Sequence, residues 1–137
     1  MPDIVQRKSL FLRPHMIAEY IQPILMVSGV ATMGPIVQFF APRPLLKLMY
    51  GVETSEPATL LLARHWGLLI FLVGALLVYS AYDSSTRDPV LVVASLEKIA
   101  FAGLVFFGPV KRTSVATFAA AGDTAFVILY IAYLLGF

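Results

Sequence analysis

Four long apolar stretches, at about 16–40, 57–82, 89–108 and 113–135, decide what this chain can fold into. At about 1.5 Å of rise per residue, each is long enough to cross a hydrocarbon layer of about 30 Å. A backbone inside such a layer finds no water for its N–H and C=O groups, so each stretch must be a helix. Hydrophobic residues fill 59% of the 137 positions and the mean hydropathy is +0.85, against about 45–50% apolar residues in soluble domains. The expectation is an all-α integral membrane protein. A basic lead-in at 1–15 precedes a single four-span domain at 16–137.

Short connections set the topology. Asp83–Pro89 and Pro109–Arg112 are tight polar turns, so neighbouring helices run antiparallel, giving an up-down-up-down four-helix bundle with both termini on one side. Between helices 1 and 2, Ala41-Pro42-Arg43-Pro44 breaks the chain, and Leu45–Tyr50 is too short to span. This segment is expected to lie in the interface with Lys47 turned to water. The second span opens on a start signal: Thr54 or Ser55 as N-cap, Glu53 and Glu56 at the positive end, and Pro57 in the first turn. In the first span, Pro23 and Pro35, with Gly29 and Gly34, predict kinks. Pro14 stands where that helix would start. Arg7, Lys8 and Arg13 before an apolar run resemble a signal peptide, but the run is too long and lacks a small-x-small site, so it reads as a retained span. Basic residues divide evenly between the two sides, and first-helix dominance places the N-terminus in the cytoplasm.

Ionisable residues fall inside two spans: Glu97 and Lys98 in the third, Asp123 in the fourth. Each costs about 2.5–3.5 kcal/mol at the centre of a bilayer, which implies mutual pairing or a cavity that uses them. Counting the rise puts Glu97 and Lys98 roughly 12–14 Å from one surface and Asp123 at nearly the same depth, so Lys98 and Asp123 are expected to meet. On the first span, Glu19, Gln22, Met26, Gly29 or Val30, Met33 and Val37 share a face; on the fourth, Ala116, Ala119, Ala120, Asp123 and Tyr130 do. Arg64, His65 and Trp66 lie near the other surface. One reading assembles a polar pocket with Glu97, Lys98 and Asp123 at its floor, Glu19 and Gln22 toward one mouth, and Arg64 and His65 toward the other. The opposing reading is a structural Lys98–Asp123 pair, a protonated or Gln22-bonded Glu97, and an Arg64 that snorkels to phosphates. The Arg64 guanidinium is expected to hydrogen-bond a phosphate, a partner carboxylate or Gln38 rather than water.

The remaining residue types narrow the chemistry. There is no cysteine, which removes disulfides, thiolate metal sites and Fe–S clusters. His15 and His65 sit at opposite ends of the spans and cannot ligate one metal or haem. No Gly-rich phosphate loop or hydrolytic triad is present, and the ten Lys and Arg form no stripe for a nucleic acid. Neither a catalytic set, a metal nor a cofactor is expected. Met26 and Met33 read as core filler, and Tyr50, Trp66, Tyr79 and Tyr82 as interfacial anchors.

Ala63-Arg64-His65-Trp66-Gly67 leading into a Gly-containing second span, followed by Glu97-Lys98 in the third, resembles the DoxX-like superfamily of small four-helix membrane proteins. The resemblance implies a four-helix bundle in a bacterial inner membrane and a role as an accessory subunit. A fainter similarity, to sterol-isomerase-like four-span proteins, implies buried acids acting beside a Trp. The preferred expectation is an accessory or stabilising subunit that packs against a larger membrane assembly, a second copy of itself or lipid. The alternatives are a protein that binds or transports a small hydrophobic molecule, and a lipid isomerase using Glu97 or Asp123.

Overall fold

The computed structural model describes residues 15–137 and contains only helices, turns and loops over that range. Arg7, Lys8, Arg13 and the Pro14 start position lie outside the described residues. In chain order the helices are α1 (Met16–Met33), α2 (Val37–Phe40), α3 (Pro42–Tyr50), α4 (Pro57–Tyr82), α5 (Arg87–Phe107) and α6 (Ser114–Leu134). Four segments are long and apolar enough to cross a membrane: Met16–Phe40, Pro57–Tyr82, Ser84–Phe107 and Ser114–Leu134.

The prolines act at the points where their missing N–H matters. Pro23 is carried inside an unbroken α1, whereas Gly34–Ile36, around Pro35, tightens to a 3-10 turn before the helix resumes as α2. Pro42 and Pro44 occupy the first turn of α3, where no backbone donor is needed, so this helix begins earlier than the Leu45 start expected from sequence. Gly51, at φ 66°, ends α3 in the left-handed conformation that favours glycine. The start of α4 corrects a second expectation. Glu56, rather than Thr54 or Ser55, is the N-cap, and its carboxylate accepts from the Ala58 and Thr59 amides at 2.9 and 2.5 Å. Thr54 Oγ1 instead accepts the Glu56 amide at 3.1 Å.

Buried positions recur every three or four residues along α4 and α5, and on α6 at three, four or seven. On α4 they are Ala63, Gly67, Ile70, Gly74, Leu77 and Ala81; on α5, Leu91, Ala94, Lys98, Phe101 and Val105; on α6, Ala116, Ala120, Val127 and Tyr130. That period keeps one seam of each helix facing its neighbours. Glycines set how closely α1 and α4 approach. A Cβ on Gly74 would lie 2.7 Å from the Gly29 carbonyl oxygen, and one on Gly67 would lie 2.8 Å from that of Pro35. The two helices run in opposite directions, since Gly29 meets Gly74 while the later Pro35 meets the earlier Gly67. One apolar cluster draws on all four long helices through Leu25, Leu77, Ala81, Leu91 and Tyr130. A second joins α5 and α6 through Phe101, Val105, Ala116 and Ala120, with Tyr50 and Trp66 packed against it.

The buried face of α1 meets the expected one only at Gly29. It is Ile21, Leu25, Ser28, Gly29 and Thr32, while Glu19 and Gln22 are exposed. The polar stripe was taken for the inner face, whereas close packing selects the small side chains.

Candidate functional site

At the middle of α5, Lys98 is 1% exposed. Its ammonium donates to Asp123 Oδ1 at 2.5 Å and to Thr32 Oγ1 at 2.8 Å. Thr32 passes its own proton to the Ser28 carbonyl at 2.7 Å. Ser28 Oγ accepts from the Tyr130 hydroxyl at 2.5 Å and donates weakly to the Leu25 carbonyl at 3.4 Å. The network therefore fastens α1, α5 and α6 through side chains that none of the three helices could satisfy alone. The depth count brought Lys98 and Asp123 together, and the structure does the same. Ser28 and Thr32 were missed. Their signal is the 4-3-4 spacing of Ile21, Leu25, Ser28 and Thr32, which repeats the period of the other helices.

The cluster holds one ammonium and two carboxylates. Glu97 Oε2 lies 4.0 Å from Lys98 Nζ, outside hydrogen-bond distance, and is buried with no hydrogen bond from the described residues; Ser95 Oγ is in the same state. Adjacent residues on a helix differ by about 100°, so Glu97 turns away from the seam that Lys98 fills. The Glu97 and Asp123 side chains are each 21% exposed. Only one carboxylate is matched by the ammonium at contact distance. The other can accept a proton or a cationic group from outside this chain.

The seven expected site residues do not converge. Glu97, Lys98 and Asp123 form the cluster, but Lys98 is enclosed and is not the floor of an open pocket. Glu19 and Gln22 are exposed on α1, and Gln22 is not the hydrogen-bond partner of the buried Glu97 oxygen. Arg64 does not bond Gln38. Its guanidinium donates to the Phe39 and Phe40 carbonyls at 2.6 and 3.3 Å, where the break at Ala41 leaves the end of α2 without helical partners. Gln38, 2% exposed, donates instead to the Ala63 carbonyl at 2.7 Å. Arg87 plays the matching part at the end of α4, donating to the Ser80 and Ala81 carbonyls at 2.8 and 2.9 Å. His65 is exposed and borders an open groove with Phe39, Pro57, Leu60, Leu61 and Arg64. Among the described residues no group of three or more His, Cys, Asp or Glu is placed to hold a metal ion.

The Ala63–Gly67 motif thus works as a joint. Ala63 and Arg64 hold α2 through hydrogen bonds, Gly67 lets the Pro35 backbone approach, and Trp66 packs on Phe101 with ring centroids 6.1 Å apart. Tyr79 and Tyr82 are exposed, whereas Tyr50 and Trp66 are half-buried rather than outward anchors. Comparison with known proteins finds no matching family model, no similar curated protein and no similar solved structure.

Proposed function

We propose that this chain is a four-span, up-down-up-down bundle in a bacterial inner membrane, acting as an accessory subunit that docks on a larger membrane assembly through the Glu97 side of α5. Membrane insertion is supported by the large apolar side chains left outside the packing, such as Phe107 at 91% and Phe118 at 83% exposure. The observation that carries the docking role is the surplus carboxylate. Glu97 sits midway along a 24-residue apolar segment, 4.0 Å from the Lys98 ammonium, with its side chain 21% exposed at the outer surface of α5. Its neighbours Val93 and Leu96 are 53% and 64% exposed. An intramembrane carboxylate is stabilised by pairing, and a basic or hydrogen-bonding side chain on a partner helix supplies that pairing. Membership of the DoxX-like superfamily is part of this proposal, resting on Ala63–Gly67 and Glu97-Lys98. The isomerase alternative has no comparable support, because Asp123 is held by Lys98 and Trp66 packs on Phe101 instead of beside the acids.

A photo-crosslinking residue placed at Leu96, in the chain expressed in its own membrane, tests the docking face. The expected result is one discrete protein adduct at Leu96 that weakens in Glu97→Gln and is missing from a control position at Phe118. Adducts to lipid alone at both positions would overturn the proposal.

A further inference from the structure

A second feature lies at the opposite end of the molecule from the short Asp83–Arg87 turn. Tyr50 of α3, Trp66 of α4, Phe101 and Val105 of α5, Lys111 of the last turn and Ala116 of α6 line a cavity of about 190 Å³. Its walls are held in place. Thr113 caps α6 through the Ala116 amide at 3.1 Å and donates its hydroxyl to the Met49 carbonyl at 2.5 Å, fastening α3 to the start of α6. The Lys111 stem lies beside Gly51, the residue that ends α3. Burial pushes the Tyr50 phenol up to about 12, so it stays neutral.

An apolar cavity of about 150 Å³ stays dry and takes hydrocarbon. This one is larger and is lined by aromatic and aliphatic side chains apart from its rim. The one charged lining residue is Lys111, and Arg112 follows it in the chain; both are exposed, and neither has an acidic partner among the described residues. Lys47 nearby is neutralised by Glu53 at 2.5 Å. An apolar cavity bordered by an uncompensated lysine, with an uncompensated arginine next to it in the chain, matches one class of ligand. We infer that this cavity takes the acyl chain of an anionic phospholipid whose phosphate is held by Lys111 and Arg112.

The inference goes beyond the docking role and rests only on the membrane reading, which flotation of the protein with vesicles checks separately. Trp66 is the single tryptophan of the chain and lines the cavity, so its fluorescence reports occupancy. The chain is reconstituted into phosphatidylcholine vesicles containing a small, increasing fraction of phosphatidylglycerol with brominated acyl chains, and in parallel of brominated phosphatidylcholine. Each basic residue near an anionic headgroup changes affinity about 5-fold, so saturable quenching with roughly 25-fold preference for phosphatidylglycerol is expected. Lys111→Gln with Arg112→Gln should remove the preference while leaving helicity unchanged. Val105→Phe, which fills the cavity, should reduce the saturable quenching with the surface charges intact. Equal quenching by both lipids, or a preference unchanged in the doubly neutralised chain, would overturn the inference.

Discussion

Replacing Lys98 by Met removes the only cation of the central cluster and should be the most damaging single change in it. Asp123 then loses the donor at 2.5 Å, Thr32 Oγ1 loses the donor at 2.8 Å, and two carboxylates are left near each other without a cation. Breaking a buried ion pair from one side costs about 3–5 kcal/mol, against about 0.6 kcal/mol for an average interhelical hydrogen bond in a membrane protein. Asp123→Asn should cost less. The ammonium keeps an amide oxygen to bond, and Glu97 Oε2, 4.0 Å away, becomes its counter-charge after a movement of about 1 Å. The loss is then nearer the about 1.5–3 kcal/mol of a charge-assisted hydrogen bond. Reversible unfolding in mixed micelles, followed by helicity, measures both, and Asp123→Leu together with the Lys98→Met/Asp123→Leu double variant completes a cycle with Lys98→Met. The coupling should be at least about 2 kcal/mol, well above the 0.3–0.5 kcal/mol within which independent sites add. Additive losses, or equal costs for Lys98→Met and Asp123→Asn, would refute the picture of one ammonium serving two carboxylates.

Three further outcomes are expected. Gly74→Ala should destabilise by about 1–3 kcal/mol as an overpacked contact, because its methyl carbon would fall 2.7 Å from the Gly29 oxygen; Gly103→Ala and Gly122→Ala, with nothing within 4 Å, should be neutral or stabilising in the same assay. Hydrogen bonds from Thr59 and Ala58 hold the Glu56 carboxyl below its ordinary 4.5, so the cap's contribution is full above that value and lost as pH falls through the lowered one. Chemical-shift titration of Glu56 should show the depressed midpoint, and Glu56→Gln should flatten the acid limb of stability; a midpoint at or above 4.5 would contradict the cap. Reporter tags placed ahead of His15 and after Phe137 should label from one side of the membrane, and labelling from opposite sides would remove the even number of spans.

The spans were legible because length and apolar continuity are strong signals, and the Lys98–Asp123 contact was legible because depth follows from the helical rise. The rotation of α1 was not. A helix long and apolar enough to cross a membrane is apolar on both faces, so hydrophobic contrast no longer marks the inside, and the Glu19/Gln22 stripe, exposed in the structure, pointed away from it. Ser28 and Thr32 mark it, beside Gly29, which the expected face already held, at spacings of three and four residues like those on α4 and α5. The partner of Arg64 depends on where the backbone runs out of helical donors, which the sequence places only to within the Ala41–Pro44 break. Glu56 became the cap through the extended backbone before Pro57, at ψ 121°, which sets its carboxylate over the first-turn amides.

The role of Glu97 as a docking group is tested most directly by the intact mass of the protein released from its native membrane in mild detergent. The wild-type chain of 15.0 kDa should appear within one larger species of fixed composition, and Glu97→Gln should release it. A bare 15.0 kDa chain, or a simple multiple of it that is unchanged by Glu97→Gln, would contradict the accessory role.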